Sequence, residues 1–383
     1  MTRLRVLIFS ASFGAGHVRA AEALIEALKN REPEADIDHV DFGVFLSRTF
    51  NTMLKSTYIE MIKHTPKLWG KFYYRTAKIP PHSVFQRFLN GLGRRKLMNY
   101  IHGLQPDLVI CTYPTVGGAL GVLRQQGELK APVVTAITDY AIHSQWINPG
   151  VDMYIVGCED VRIGLLRRGI DEEKIKVTGI PVSPRFERVL DRENIAARLG
   201  IDPQCLTLLI MSGAYGVLDS AKWLLKLLDD IPGDLQVLIV CGKDERLYHS
   251  LDGVIEQARH PVRRFGFIYN VEEFMAVSDI IITKAGGLTV SEALTRRLPI
   301  LIYKPIPGQE EENALFLQNI GAGKTALNDE ELGAALKQMI TDPDTLAQMR
   351  EAAAWALPGK AADQAIGHML ALLKKKGKEQ RTG

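Results

Sequence analysis

The chain has 383 residues, of which 46% are hydrophobic and 24% charged, with a formal net charge of +3; this suffices for two domains of ordinary size. No charged-then-apolar segment opens it, and no apolar run approaches the roughly 20 residues that a bilayer span needs, so the sequence reads as neither secreted nor integral to a membrane. Cys111, Cys158, Cys205 and Cys241 show no C-x-x-C spacing, which argues against a disulfide framework or thiolate metal site and for reduced thiols in a cytoplasmic protein.

In chain order, Leu4 to Ser10 predicts a short buried strand, and Ala20 onward carries Ala, Leu and Ile at helical spacing. The loop between them holds Gly14, Ala15, Gly16 and His17. Glycines at 14 and 16 let backbone approach a ligand closely, and amides at a helix start favour negative charge. Arg19 stands where G-x-G-x-x-G requires its third glycine, which disfavours a simple dinucleotide enzyme. His17 is expected in the first helical turn, where an imidazole tuned near neutrality can remove a hydroxyl proton; a tight turn followed by a helix-start histidine accounts for the same residues.

From Val44 to Tyr100 there are eleven Lys and Arg against one carboxylate, Glu60, so this segment carries +10 and the rest of the chain −7. Its charges interleave with Phe45, Phe50, Tyr58, Trp69, Phe72, Tyr73, Tyr74, Phe85 and Phe88. Three readings fit: an anionic membrane interface, a helical hairpin with its aromatics in the core and a solvated basic face, or a nucleic-acid patch.

Strand-like runs "DIDHVDF", "DLVICTY", "VVTAIT" and "MYIVGC" continue the first half. In "AITDYAIHSQW", Thr138, Asp139 and His143 follow a strand. A carboxylate there can hold a base or orient an acceptor hydroxyl, and Asp is also a common strand-ending turn residue. His143 has no spaced partner of the kind a metal site needs. Gly179, Pro181 and Pro184 punctuate the chain before a polar helix, placing the lobe boundary between Pro181 and Arg198. The expected division is 1–185, 186–360, and 361–383 as a helix end with a frayed basic tail.

The second half restarts with "LTLLIMSG", "LQVLIVCG", "DIIITKAGG" and "LPILIYKP". Ser212, Gly213, Ala214, Tyr215 and Gly216 form a small-residue loop able to offer amides and a hydroxyl to a phosphate, without the lysine of a Walker loop. Gly286 and Gly287 open a helix whose N-terminal amides suit a diphosphate, and Glu292 follows within two turns, where it can accept both hydroxyls of a ribose. In "YKPIPGQEEENALF", Gln309, Glu310 and Asn313 start another helix. An amide beside carboxylates gives the donor and acceptor mixture that sugar hydroxyls need, while an acidic first turn also complements the helix dipole. Repeated strand-then-helix patterns predict a doubly wound α/β architecture with parallel sheets in two lobes, with the active site expected in the cleft between their facing loops.

"TKAGGLTVSEA" followed by "YKPIPGQEEENA" resembles the nucleotide-sugar site of glycosyltransferase family 28, whose members share the two-Rossmann GT-B fold. "SASFGAGHVRAAEAL", "ITDYAIHSQW" and "KVTGIPVSPRF" resemble the diacylglycerol glycosyltransferases within it, the bacterial processive glucosyltransferases and plant monogalactosyldiacylglycerol synthases. The resemblance runs from about Leu4 to the end of the second lobe. The family's opening loop often has one more glycine, replaced here by Ala15.

The resemblance implies inverting transfer of a hexose from a UDP-sugar to the 3-hydroxyl of 1,2-diacylglycerol, with glucose preferred over galactose as donor. It assigns Ser212 and Gly213 to the phosphates, Phe267 and Ile268 near the base, Gly286 and Gly287 to the diphosphate, Glu292 to ribose, and Gln309 and Glu310 to the donor sugar with Asn313 supporting them. His17 becomes the expected general base, with Asp139 as rival or partner and Gly14 and Gly16 beside the acceptor. No D-x-D element stands where a metal-dependent transferase holds its ion, so no metal and no cofactor are expected. Trp69, Lys71, Phe72, Tyr73, Arg75 and Lys78 are expected at an anionic membrane surface, with no nucleic-acid partner, making the protein peripheral on the inner face of the cell membrane. The alternatives are transfer of N-acetylglucosamine to an undecaprenyl-linked peptidoglycan precursor and a non-catalytic UDP-sugar sensor.

Overall fold

A computed structural model of the chain describes residues 3–12, 14–80, 83, 86, 91, 93–211, 221–231 and 233–382. It divides into two units: Met1–Pro184 with Pro307–Gln309 and Pro358–Gly383, and Arg185–Ile306 with Glu310–Leu357.

The first unit is built on β1 (Arg5–Ser10), β2 (Asp36–Asp41), β3 (Leu108–Cys111), β4 (Val133–Ala136), β5 (Met153–Val156) and β6 (Ile175–Val177), all parallel, in the order β2-β1-β3-β4-β5-β6. Strands β3, β4 and β5 are buried along their whole length, as the continuous apolar runs of a sheet covered on both faces require. Val6, Ile8, Leu108, Ile110, Val134 and Ile155 pack against Ala21, Leu24 and Leu28 of the helix Ala15–Arg31.

The carboxy-terminal residues form a helix, Ala361–Thr382, whose Ala362, Ala365, Ile366 and Met369 enter this same core. Their spacing of three and four places them on one helical face. Arg31 makes a paired contact with Asp363 at 2.6 Å through two nitrogens, and Lys376 meets Asp152. Burying Ile366 and Met369 contributes about 1.5–3 kcal/mol each.

The basic segment supplies the helices Phe42–Leu46, Arg48–His64, Pro66–Thr76 and Arg94–Leu104. Phe42 and Phe45 turn inward onto Phe9, with ring centroids 6.2 and 6.1 Å from it, as the core-packed reading expects. The helix Pro66–Thr76, opened by a proline whose missing N–H costs nothing at that position, behaves differently. Only Gly70 and Thr76 are buried, whereas Leu68 is 59%, Phe72 49% and Tyr74 39% exposed. Lys67, Lys71, Arg75 and Lys78 are exposed beside them, with Trp69 and Tyr73 half-buried. Phe85 and Phe88 lie outside the described residues.

The second unit carries β7 (Leu206–Met211), β8 (Leu235–Val240), β9 (Val262–Phe265), β10 (Ile280–Thr283), β11 (Ile300–Tyr303) and β12 (Gly323–Ala326), again all parallel, in the order β12-β11-β10-β7-β8-β9. Read from β9, this is the dinucleotide-fold order 3-2-1-4-5-6, and the first sheet follows the flavodoxin-like order. Leu208, Ile210, Val237, Ile239, Ile280 and Ile282 form its core with Leu224, Leu228, Leu336 and Met339 from the covering helices.

Candidate active site

Strand order reverses between β1 and β3 in the first sheet and between β7 and β10 in the second. Such switch points are where an open α/β sheet leaves a crevice for a ligand. In the first unit, His17 follows β1 and Thr112 follows β3; in the second, Gly286 and Gly287 follow β10.

After β1, the chain turns through Gly14, whose φ of 155° and ψ of 165° suit glycine, and enters the helix at Ala15. The helix thus begins earlier than its apolar spacing predicts, so that Gly16 and His17 both lie in its first turn. Two strand ends hold His17. Thr112, after β3, donates its hydroxyl to the His17 carbonyl at 2.8 Å. Thr138, after β4, brings its hydroxyl to Nδ1 at 2.9 Å. Tyr113 and Trp146 flank the imidazole with centroids 5.3 and 6.1 Å away. The residue is partly exposed, yet the dense protein around the ring lowers its pKa from 6.5 to about 4, against the opposite pull of the Thr112 backbone. At neutral pH the imidazole is therefore uncharged, with its lone pair free of a proton, and it is a weaker base than the near-neutral imidazole expected from sequence.

Asp139 is buried and its Oδ1 accepts a hydrogen bond from Gln309 Nε2, with Pro307, Gly308 and Gln309 belonging to the first unit. The sequence reading gave Asp139 as rival or partner of His17 and Gln309 as a contact to the donor sugar; the Asp139 and Gln309 side chains are hydrogen-bonded to one another. His143 is engaged elsewhere: its Nε2 lies 3.1 Å from Thr76 Oγ1, its Nδ1 accepts from the Gln145 amide at 3.2 Å, and its ring sits 4.8 Å from that of Tyr73. Ser144 donates to the Thr76 carbonyl at 2.7 Å. One loop thus touches His17 through Thr138 and anchors the exposed helix Pro66–Thr76 through His143 and Ser144.

In the second unit, Ser212 and Gly213 directly follow β7 but lie outside the described residues. After β10, Gly286 stands at the N-cap of the helix Gly287–Thr295, and a Cβ placed on it would meet nothing within 4 Å among the described residues. The glycine leaves open space at the helix amides. Asn313, fully buried, donates from Nδ2 to the Ala285 carbonyl at 2.9 Å and so pins the turn just before the two glycines. Glu292 is buried on the same helix. Glu310 accepts from the Ile306 amide at 2.9 Å; burial raises its pKa, while the Ile306 amide and Lys284 pull it back. Beyond β9, Phe267 is 45% exposed with Lys243 Nζ 5.1 Å above its ring, and Tyr269 lies edge-on to it, 4.9 Å between centroids. Among the described residues, no group of three or more His, Cys, Asp or Glu is placed to hold a metal ion.

Sequence reasoning gave no role to Thr138, Lys243 or Tyr269. Each directly neighbours or closely follows a strand end in the sequence, which was the available signal.

Residues 17–182 match the family model described as monogalactosyldiacylglycerol (MGDG) synthase, and residues 207–365 match the glycosyltransferase family 28 C-terminal domain. Over 348 residues the chain is 34% identical to the processive diacylglycerol beta-glucosyltransferase of Bacillus cytotoxicus, covering 91% of this chain and 88% of that protein. The chain belongs to the diacylglycerol glycosyltransferase family. In this diacylglycerol glycosyltransferase family member, the first matched region begins at His17 and includes Thr138 and Asp139, and the second includes Gly286, Glu292 and Asn313. Solved structures share the fold at low identity. MurG of Acinetobacter baumannii superposes with a TM-score of 0.65 at 18% identity, over 97% of this chain and 99% of that one. Anabaena Alr3699/HepE in complex with UDP-glucose gives 0.56 at 16% identity, over 96% and 100%. These likenesses establish the GT-B fold, two Rossmann-like units.

Proposed function

We propose that this diacylglycerol glycosyltransferase moves glucose from UDP-glucose to the 3-hydroxyl of 1,2-diacylglycerol with inversion, using His17 as general base. Membership of the family carries the reaction class; the uncharged, partly exposed imidazole at the first sheet's switch point is the observation that carries the base assignment. The acceptor oxygen bonds to the anomeric carbon as the bond from that carbon to the diphosphate oxygen breaks. The hydroxyl proton passes to His17, and the charge gathering on the departing UDP is met by backbone amides at the start of the helix Gly287–Thr295. One displacement inverts the centre and needs a base but no enzyme nucleophile.

Glu292 is the proposed ribose ligand and Phe267 with Ile268 the proposed surface for the base, a reading supported by the exposed Phe267 ring. Glu310 is the proposed contact to the donor sugar, with Gln309 acting through Asp139. The acceptor is a lipid, so the enzyme must work at a bilayer surface. No helix of the described residues is long and apolar enough to cross a membrane, and the exposed apolar and basic residues of Pro66–Thr76 support peripheral attachment to an anionic leaflet, the inner face of the cell membrane.

The test is product formation from radiolabelled UDP-glucose and, separately, UDP-galactose with diacylglycerol in anionic mixed micelles containing EDTA. Glycolipid from UDP-glucose is the expected result. Glycolipid from UDP-galactose alone would reassign the sugar, and loss of activity with EDTA would overturn metal-free chemistry.

A further inference from the structure

We propose that Thr138 positions His17 for catalysis: its hydroxyl accepts the imidazole Nδ1 proton and thereby leaves Nε2 to take the proton of the acceptor alcohol. The inference deepens the proposed function and rests on His17 being the base. Thr138 is 4% exposed and sits at the carboxyl end of β4, with its Oγ1 2.9 Å from Nδ1. Besides Thr138 at Nδ1, the imidazole also interacts with the Thr112 backbone. In a neutral imidazole, the partner of one nitrogen decides which tautomer is held and so which nitrogen keeps its lone pair.

The hold is rigid for two reasons. Thr112 fixes the His17 backbone through its carbonyl while Thr138 fixes the ring, so hydroxyls from two neighbouring strand ends determine both position and orientation. A β-branched threonine in a packed loop also has few rotamers. The choice of a hydroxyl over a carboxylate has a chemical consequence: a carboxylate at Nδ1 would raise the proton affinity of the ring, whereas a hydroxyl orients it without adding charge. A carboxylate is at hand in the adjacent residue, but Asp139 directs its Oδ1 to Gln309.

The experiment uses the full chain labelled with ¹⁵N-histidine, in wild-type, Thr138→Val, Thr138→Ser and His17→Gln forms. Ring-nitrogen spectra read the tautomer, His17→Gln identifying its signals among the nine histidines, and steady-state kinetics read kcat and KM for both substrates. Expected are an Nδ1–H tautomer at His17 in wild type and Thr138→Ser, and a mixture in Thr138→Val. Alongside this, kcat should fall about 10- to 100-fold in Thr138→Val, the usual range for losing a partner that orients a working side chain. KM should stay within about twofold, since the group acts in the transition state.

Unchanged kcat in Thr138→Val, or an Nε2–H tautomer in the wild type, overturns the proposal. Turnover surviving in His17→Gln instead removes the base assignment itself, so the two failures are distinguishable. Should Thr138→Val not fold, the wild-type tautomer and the recovery of kcat by Thr138→Ser relative to Thr138→Ala decide the matter.

Discussion

At the scale of single residues, the low proton affinity of His17 bears on both the proposed chemistry and stability. With His17 as the proposed base the neutral form is the active one, so kcat/KM should be flat in this group from about pH 5 to 8 and fall as pH drops through about 4, measurable on detergent-solubilised acceptor. For stability, the unfolded ring titrates at about 6.5 and the folded ring at about 4. Between those values the unfolded chain binds a proton that the native state refuses, so acidification through this window destabilises the fold. His39, His143 and His368, also held down chiefly by burial, act in the same direction. Urea titrations at pH 6.5 and 4.5 should show the loss, with a smaller loss in His17→Gln. His17→Ala should lower turnover about 10²- to 10⁴-fold while UDP affinity, read by calorimetry, stays unchanged. Glu292→Gln should weaken UDP binding about tenfold, the order of one hydrogen bond to a charged group; unaltered affinity would assign the ribose contact elsewhere. His17 was legible because glycines bracket it at a strand end. Its orienting partner was not, being 121 residues distant and joined to it only by the parallel pairing of β1, β3 and β4.

Among the elements, the helix Pro66–Thr76 and the sheet edges teach different lessons. The helix keeps Leu68 and Phe72, four residues apart, on an exposed face with Lys67, Lys71 and Arg75 alongside. Each basic group near an anionic surface is worth about 1 kcal/mol. Changing Lys71, Arg75 and Lys78 to glutamine should therefore reduce affinity for anionic liposomes about 100-fold at low salt and spare activity in neutral detergent; equal liposome binding would assign the face another purpose. The charge run was legible, but which aromatics turn inward was not, since Phe45 packs on Phe9 and Phe42 through contacts that only the folded sheet creates. Strands β6, β9 and β12 escaped the sequence reading; like β2, which was read, they are sheet edges, but they are shorter. An edge strand pairs on one side only, so "IKV", "VRRF" and "GKTA" can be short or polar where interior strands must be apolar.

For the whole molecule, the two-lobed α/β plan followed from the restart of the strand pattern, whereas the second return of the chain to the first unit did not. That return depends on the helix Ala361–Thr382, whose apolar face was hidden in sequence by the lysines of its last turns. Met369→Ala should cost about 2–5 kcal/mol in urea unfolding, and a chain ending at Leu357 should lose cooperative unfolding of the first unit, with the second unit's transition preserved. Retention of both transitions would show that the helix only decorates the surface.

The same helix sets an order of events during synthesis. As the polypeptide leaves the ribosome, β1 to β6 emerge first, but Ala362, Ala365, Ile366 and Met369 follow only after the entire second unit has been made. Until then the helix Ala15–Arg31, with His17 in its first turn, lacks part of its apolar cover, and this half of the nascent chain exposes surface for chaperones to guard. The second unit can therefore mature while the first, with its helix Ala15–Arg31, is still incomplete.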